Sequence, residues 1–584
     1  MSEKSPSIIL YALLIEFDHS KGLIVEACYP PFKGEDNEEN ILDISSMPNE
    51  WTNLPNLAVP DGSHKVTEGT DTSYFILPGI SETNHNSIYG VSCFSQIDVS
   101  KIINKLQKFT RNTVLKGVCV LSTKPLFGHI RLCLQPLTEA YFQELQIADE
   151  NFSTTHWLKT IYNQVNMGLS GSSLNNASPF QELNCIQLVH NYKFFIIQLF
   201  KLLLIEKRVL FFSNIESNRL CSDILCILSL VPGILEEGLA DAANYDKNKK
   251  TTIEEETDRR DEIVEIILKS SSESTESQEN QIDSNIPNDK PKDDEICEIS
   301  SDTFKESSQQ VITDSEIFEN TAKYSLSYVN SAIMSNWLEN DKCPQLNDDQ
   351  AAENLHFSKF GFPLKIFSEN RLCFPYCSLH NLETLKSSTT KCYWAGATNQ
   401  VFKMDTKHYD ALVEIKNDKV ELKFTNKELE KLTQPTSADK KFVDMILRIT
   451  RENSSFQQFE RDWQGSEDWL RHQFKMYLLS LAAVAVNNDA STMDDFNISF
   501  VKAWQLTNNF KIWQNHPRTI LLHINPEHLN HGQSYFPEFV KGAKDKLSQT
   551  WKTSEVAGKL VQETTSKAIS QVWSMVKNTA SGSS

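Results

Sequence analysis

The segment from Gln181 to Leu230 constrains the fold of this chain more than any other. We predict one long helix over Gln181–Ile205, because nearly every position in it is apolar. Its few polar positions form a narrow stripe of Gln187, Asn191, Gln198 and Lys201. A helix that is apolar around most of its circumference is buried. An apolar strand at Val209–Phe212 and a second buried helix at Asp223–Leu230 follow. This order predicts an α/β unit with a parallel sheet.

A long acidic segment interrupts the globular pattern. The chain has 584 residues and a formal net charge of −20. Residues 251–350 contain 25 Asp and Glu side chains against 8 Lys and Arg, so this segment carries −17 of that charge. Because it has too few apolar residues to offset the entropy of ordering, we predict a mostly disordered insertion over residues 241–355. Within it, Leu326, Val329, Ile333 and Trp337 recur at helical spacing and predict one short docking helix.

Upstream of the insertion, residues 1–150 predict an α+β domain. The turn residues at 18–22 predict a hairpin between strands at 8–17 and 22–28, and not a signal peptide. A helix is predicted from Val99 to about Lys116, where apolar residues recur at near-helical spacing. Further strands are predicted at 73–78, 88–95 and 118–121. In the Pro60-Asp61-Gly62 turn, we expect the Asp side chain to bond its own backbone and Gly to adopt a positive φ.

Downstream of the insertion, residues 356–540 predict the rest of the α/β unit and a helical region. We expect strands at 362–367 and 372–375, a tight strand-to-turn transition at 393–399, and a hairpin between 413–415 and 420–424. Helices follow at 438–450, 466–486 and 496–509. Ser466 is a suitable N-cap, since Glu467 and Asp468 occupy the first turn, where the helix dipole favours anions.

Composition and motifs limit the function classes. The negative charge argues against a nucleic-acid partner, and no apolar run is long enough for a spanning helix. The 12 cysteines lack zinc-ligand spacing, so we expect reduced, buried thiols and no metal. Gly168–Ser173 lacks the Lys-Ser/Thr that completes a phosphate-binding loop, and a flexible loop is the better interpretation. His64 and the tryptophans Trp463, Trp469, Trp504 and Trp513 are interpreted as structural. We therefore predict no catalytic residues and no cofactor.

The tail at residues 541–584 reverses the charge of the chain. Seven lysines against three acidic residues give a net charge of +4, and apolar residues recur at roughly helical intervals. One hypothesis is a helix that lies on an anionic membrane. The alternative is a helix packed on the protein's own surface. For the first hypothesis, the predicted membrane contacts are Leu547, Trp551, Lys552, Lys559, Leu560, Lys567 and Trp573.

Three groups of motifs occur along the chain in a fixed order. The first contains Cys28-Tyr-Pro-Pro31, Trp51-x-x-Leu-Pro55, Pro60-Asp-Gly62 and Val118-Cys-Val-Leu-Ser122. The second contains Leu203-Leu-Ile-Glu-Lys-Arg-Val-Leu-Phe211 and Leu228-Ser-Leu-Val-Pro-Gly233. The third contains Ala395-Gly-Ala-Thr-Asn399, Leu432-Thr-x-Pro-Thr-x-Ala-Asp439, Trp463-x-Gly-x-x-x-Trp469, Val501-x-Ala-Trp504 and Ile524-Asn-Pro526. Each motif alone is weak, but the ensemble is specific. In this order the motifs resemble those of the Avl-type late secretory pathway family of DENN-domain proteins.

The resemblance implies a longin-like module at 1–150, a central α/β DENN module that begins at 151–240, and its remainder with a helical downstream DENN part at 356–540. It also implies vesicle-mediated transport from the late Golgi to the plasma membrane. Many DENN proteins are guanine-nucleotide exchange factors for Rab GTPases, so a Rab-type GTPase and exchange activity are one expectation. The other is a non-catalytic adaptor that binds a GTPase or coat component. Either would be cytoplasmic and peripherally associated with Golgi, endosomal or secretory membranes.

Overall fold

The computed structural model describes residues 7–18, 20–63, 69–80, 87–98, 113–147, 152–169, 178–214, 216–245, 357–416, 419–452, 465–515 and 526–531. These residues contain many helices and two five-stranded sheets, which confirms the prediction of a mixed α and β chain. Both sheets belong to one compact unit. The predicted insertion at 241–355 lies outside the described residues from position 246 onward.

The first sheet is antiparallel, with the strand order β2-β1-β5-β4-β3. Its strands are β1 (Ile9–Asp18), β2 (Gly22–Tyr29), β3 (Asp71–Leu77), β4 (Ile88–Asp98) and β5 (Thr113–Ser122). The predicted hairpin and the other predicted strands are confirmed. The helices are α1 (Glu38–Leu42), α2 (Leu54–Ala58), α3 (Phe127–Ile147) and α4 (Thr154–Gly168). Both α3 and α4 pack against the sheet, and their apolar faces complete its core.

The helix predicted from Val99 to Lys116 is wrong at its end. Residues 99–112 lie outside the described residues, but the chain from Thr113 is already in β5. Val114 pairs with Ile97 of β4, and the Lys116 ammonium is buried against Glu16 and Glu26 at 3.1 and 2.6 Å. Tertiary pairing on both sides of β5 therefore overrides the local helical spacing.

The second sheet has the order β10-β9-β6-β8-β7. Its strands are β6 (Val209–Ser213), β7 (Arg371–Phe374), β8 (Cys392–Ala397), β9 (Ala411–Lys416) and β10 (Lys419–Phe424). Strands β7, β8, β6 and β9 are parallel, and β10 pairs with β9 in the antiparallel sense. The parallel sheet and the hairpin are confirmed. The strand predicted at 362–367 is wrong, because Pro363 has no N–H to donate and this apolar run is buried in irregular structure.

The long helix predicted over Gln181–Ile205 is also wrong. Two helices, α5 (Cys185–Tyr192) and α6 (Phe195–Leu204), meet at Lys193, which has a φ of 50°. The positive φ of Lys193 turns the chain and ends α5, whose last backbone bond runs from the Lys193 N–H to the Val189 carbonyl at 2.8 Å. The predicted polar stripe is therefore divided, and its last member, Lys201, is fully buried in α6. The helix after β6 is α7 (Ser217–Ser229), which contains the predicted segment from Asp223.

Two short helices follow the parallel strands, namely α8 (Leu382–Lys386) and α9 (Val401–Met404). The remaining helices are α10 (Lys427–Thr433), α11 (Ser437–Glu452), α12 (Glu467–Asn487), α13 (Ala490–Asp494), α14 (Ile498–Gln505) and α15 (Asn508–Gln514). Ser466 caps α12 by accepting the Trp469 N–H at 3.1 Å, as predicted. The single helix predicted over 496–509 is wrong, because Thr507 ends the first helix and caps the second by accepting the Phe510 N–H at 3.3 Å.

Candidate functional site: the seam between the two sheets

Polar side chains join the two sheets where three of the quoted motifs meet. We call this contact the seam. From the first sheet and the loops beside it, the seam contains Asn53, Asp61 and Asp71. From the second sheet and its helices, it contains Ser217, Tyr376, Ser378, Asn381, Thr398 and Asn399.

The Pro60-Asp61-Gly62 turn lies at the centre of the seam. The turn is confirmed by the Ser63 N–H, which donates to the Pro60 carbonyl at 3.1 Å, and by a φ of 87° at Gly62. The Asp61 N–H donates to the Tyr376 hydroxyl at 2.7 Å, and the Thr398 hydroxyl donates to the Asp61 carbonyl at 2.7 Å. The prediction that the Asp61 side chain bonds its own backbone is wrong. Its carboxylate instead accepts from the Asn399 amide at 3.4 Å.

Asn53, within the Trp51-x-x-Leu-Pro55 motif, forms a second contact of the seam. Its amide nitrogen donates to the Asn381 side-chain oxygen at 3.0 Å, and its oxygen accepts from the Ser378 hydroxyl at 2.9 Å. Ser378 is fully buried, and its own N–H donates to Asn381 at 3.0 Å. The three side chains thus satisfy one another where α8 begins, which keeps the buried hydroxyl paired.

Asp71, the first residue of β3, caps a helix that starts 146 residues later. Its carboxylate accepts from the Ser217 N–H at 3.1 Å, from the Ser217 hydroxyl at 2.6 Å and from the Asn218 N–H at 3.3 Å. These donors form the N-terminus of α7, where exposed N–H groups and the helix dipole favour an anion. The first sheet therefore provides the capping charge for a helix that packs on both sheets.

The seam occupies the edge of the second sheet at which α/β proteins usually bind ligands. Tyr376 follows the end of β7, and Thr398 and Asn399 follow the end of β8. Ligands of open α/β sheets bind beyond the carboxyl ends of the parallel strands. In this chain the Asp61 turn fills that place with its own backbone. Gly396 shows how closely the strands are packed there, because a Cβ on it would lie 2.2 Å from the Pro375 carbonyl oxygen.

The seam consists of groups that hold a structure together. Burial raises the pKa of the Tyr376 hydroxyl well above its usual range, so this group stays protonated as a hydrogen-bond partner. Both carboxylates of the seam accept N–H or O–H donors. No set of His, Cys, Asp and Glu able to hold a metal occurs among the described residues of the chain. The geometry therefore suits a rigid joint between two surfaces.

A second polar cluster lies in the interior, between α6 and the C-terminal helices. The Lys201 ammonium donates to Asp439 at 2.6 Å and to the Phe496 carbonyl at 3.0 Å. Tyr477 donates to the other oxygen of Asp439 at 2.8 Å, and His528 lies 3.3 Å from it. Burial would raise the pKa of Asp439, but Lys201 and His528 outweigh burial and hold this pKa well below its usual range.

The seven predicted membrane contacts, Leu547, Trp551, Lys552, Lys559, Leu560, Lys567 and Trp573, lie outside the described residues. The same holds for His64, Trp463 and most of the loop at 168–173. Trp504 and Trp513 are buried, as the structural interpretation expected. Among the described helices, none combines the length and the hydrophobicity that a membrane-spanning segment needs. Every cysteine that the structure describes is free, and all but the half-buried Cys133 are buried.

No local pattern indicates the contact between Asp71 and Ser217, because a cap supplied by a distant strand has no spacing signature. Asn53, Thr398 and Asn399 lie within motifs of the family resemblance, but nothing in those motifs indicates that these residues form contacts between the two sheets. Only covariation between the two halves of the chain could have revealed these pairs.

Comparison with known proteins places these motifs in a family. The family model described as transport protein Avl9 matches residues 9–485. The late secretory pathway protein avl9 of Schizosaccharomyces pombe is 24% identical over 534 residues, which cover 88% of each chain. The late secretory pathway protein AVL9 of Saccharomyces cerevisiae is 23% identical over 578 residues, which cover 91% of this chain and 62% of that relative.

Proposed function

The chain belongs to the Avl9 family of transport proteins, and from this premise we propose that it acts in vesicle transport late in the secretory pathway. The two yeast relatives are named for that pathway. We further propose that the first sheet with its helices is the longin-like module, and that the second sheet is the central DENN module. Helices α11 to α15 would then form the downstream DENN part.

The seam is the observation that carries this proposal. It fills the ligand-binding edge of the parallel sheet with Asp61 and joins the two sheets through paired polar groups. A protein built in this way acts through its outer surfaces, by binding other macromolecules. Transport between membranes requires such binding and requires no bond-breaking site.

The proposed partner is a small GTPase of the Rab type, with the chain acting as an exchange factor. An exchange factor binds the nucleotide-free GTPase more tightly than the nucleotide-bound form, and by linkage it weakens nucleotide binding by the same factor. A shift of about 10⁴-fold requires roughly 5.5 kcal/mol of differential binding, which a protein interface can supply. A rigid joint supports this role, because a preorganised surface loses less entropy when it binds.

A nucleotide-release assay on a panel of Rab GTPases tests the proposal. Each GTPase is loaded with a fluorescent GDP analogue, and the full chain is added together with excess GTP. Faster release from one or a few GTPases would support exchange activity. A parallel pull-down on nucleotide-free and GTP-loaded GTPases distinguishes the alternative role. As an adaptor, the chain would bind the GTP-loaded form without accelerating nucleotide release. If no GTPase of the panel binds in either assay, a Rab-type partner is refuted.

Membrane recruitment by the tail is a separate part of the proposal. We infer that residues 541–584 bring the protein to anionic membranes, with Trp551 and Trp573 at the interface and the lysines supplying charge. A net charge of +4 contributes only a few kcal/mol, at about 1 kcal/mol per lysine before screening. Liposome co-sedimentation compares the full chain with a 1–540 truncation at rising salt. If the two proteins sediment equally, the tail is a structural helix.

A further inference from the structure

Strand β10 is an open edge of the second sheet. It lies at the end of the strand order and pairs only with β9 among the described strands. The ladder continues to Thr425, whose N–H donates to the Asp410 carbonyl at 3.1 Å. Residues with odd numbers therefore exchange hydrogen bonds with β9, because hydrogen-bonded pairs alternate in an antiparallel ladder. The backbone N–H and C=O groups of Val420, Leu422 and Phe424 point away from the sheet.

The two faces of this edge differ in chemistry. Val420, Leu422 and Phe424 lie on the face that packs against α5 and α10, and all three are half-buried. Lys419, Glu421 and Lys423 lie on the opposite face, and the side chains of Glu421 and Lys423 are 44% and 53% exposed. A strand added here would meet apolar side chains on one face and charged side chains on the other.

The charged face has an excess of lysines. Buried Glu414 receives Lys403 at 2.7 Å and Lys416 at 3.4 Å, and it also pairs with Lys423. Since β10 adds Lys419 and Glu421, this face carries four lysines and two glutamates. Opposite charges on directly facing strand residues contribute roughly 0.2–1 kcal/mol per pair. An added strand is therefore favoured when it carries acidic residues opposite Lys419 and Lys423 and a neutral or basic residue opposite Glu421.

We propose that the outer edge of β10 binds an extended segment of a partner protein as an additional strand. The segment carries acidic side chains at two positions four residues apart, opposite Lys419 and Lys423, and apolar side chains at the alternate positions. Backbone hydrogen bonds to Val420, Leu422 and Phe424 supply affinity, and the lysines supply specificity. This proposal does not depend on the identity of the GTPase.

A second copy of the chain is a poorer occupant. When two β10 strands pair around Glu421, Lys419 of each copy faces Lys423 of the other, and like charges that face each other directly destabilise a strand pair. When they pair around Leu422, Glu421 of each copy faces Lys423 of the other, but Lys419 faces Thr425 and gains no opposite charge. A second copy therefore satisfies at most one of the two lysines, whereas the acidic segment satisfies both. Lysines on an edge strand commonly oppose edge-to-edge self-association for this reason.

The test uses fluorescein-labelled peptides and the full chain. One peptide has the core Glu-Val-Thr-Val-Glu, and its control has Lys in place of both Glu residues. We expect saturable anisotropy with the acidic peptide and much weaker binding of the lysine peptide. Leu422→Pro removes an outward N–H that β9 does not use, so the variant should fold and lose binding. The double variant K419E/K423E should lose affinity by about tenfold or more, since each reversal replaces attraction by repulsion.

The matched control reverses two exposed lysines elsewhere, as K502E/K511E, and should bind like the unchanged protein. If L422P does not fold, amide exchange of the unchanged protein tests the binding site instead. The acidic peptide should slow exchange at the amides of Val420, Leu422 and Phe424. Equal binding of both peptides, unchanged binding by a folded L422P variant, or no binding at about 1 mM peptide would overturn the proposal. A concentration-dependent dimer in light scattering that L422P abolishes would also overturn it, with a second copy as the occupant.

Discussion

The seam and the buried cluster around Asp439 both join distant parts of the chain through polar side chains, but they differ in how far those side chains are exposed to water. In the seam, Asp61, Thr398 and Asn399 are half-buried and linked by hydrogen bonds in which no cation takes part. In the cluster, the side chains of Lys201 and Asp439 are 0% exposed. A buried charge that loses its partner cannot regain water, whereas a half-buried group can. The cluster should therefore be costly to break and the seam much less so.

The largest loss of stability is expected when an unpaired charge is introduced into the core beside the cluster. Leu203 is fully buried in α6, two residues after Lys201. Leu203→Asp buries an unpaired carboxylate, whose cost of several kcal/mol is comparable to the stability of a whole domain. We expect loss of cooperative unfolding in circular dichroism and rapid digestion by limited proteolysis. Leu203→Met, which conserves volume, should cost less than about 1.5 kcal/mol, and a normally folded Asp variant would refute the buried assignment.

Removal of the cation from the cluster should have the next largest effect. Lys201→Met leaves Asp439 buried without its ammonium partner, and breaking a buried pair in this way costs about 3–5 kcal/mol. Urea unfolding of the single variant measures this cost. The double variant K201M/D439N removes both charges and should regain part of the stability. Lys511→Met on the surface of α15 is the control. If K201M lowers the free energy of unfolding no more than this control, the Lys201–Asp439 pair is hydrated and does not differ from the seam in the cost of breaking it.

A third prediction compares two buried carboxylates whose partners differ. Asp223 accepts the Tyr192 hydroxyl at 2.9 Å, and burial raises its pKa to about 6. The folded state therefore holds this proton more tightly than the unfolded state. The resulting stability is complete below the unfolded pKa of 3.8 and is lost as pH rises through about 6. Asp439 differs, since Lys201 lowers its pKa.

We therefore expect Asp223→Asn to be neutral near pH 4 and stabilising near pH 7.5, by up to about 3 kcal/mol. Urea unfolding at both pH values measures the difference. A stabilisation that is equal at both pH values would show that ionisation of Asp223 is not its source. Asp439→Asn serves as the contrasting variant and should destabilise at both pH values.

The comparison also shows what local sequence patterns can predict. The hairpin of β1 and β2, the strand β6 and the cap at Ser466 depend on neighbours in the chain, and each was predicted correctly. Helical spacing places Lys201 in a polar stripe, because it cannot show that this lysine faces an aspartate 238 residues away. The long helix failed for a related reason, as Lys193 turns the chain so that α5 and α6 pack separately.

Most of the seam was unpredictable for the same physical reason. Asp61 and Thr398 are 337 residues apart, and each motif is compatible with many partners. The Pro60–Gly62 turn was predicted from its residue types, but its place at the end of β7 and β8 follows from the packing of two sheets. Local chemistry thus predicts elements, and the contacts between them require the fold.

The smallest effect is expected in the seam itself. Thr398→Val removes the hydroxyl that donates to the Asp61 carbonyl at 2.7 Å. Because Asp61 and Thr398 are only half-buried, we expect water to replace the lost donor and the change to cost about 1 kcal/mol. Thr160→Val is the matched control, since its hydroxyl donates to the His156 carbonyl within its own helix at 2.9 Å. Amide exchange should rise at residues 53–63 in the first variant and remain unchanged there in the second. If Thr398→Val costs as much as Lys201→Met, the seam is as strongly desolvated as the cluster, and solvent access does not explain the difference between them.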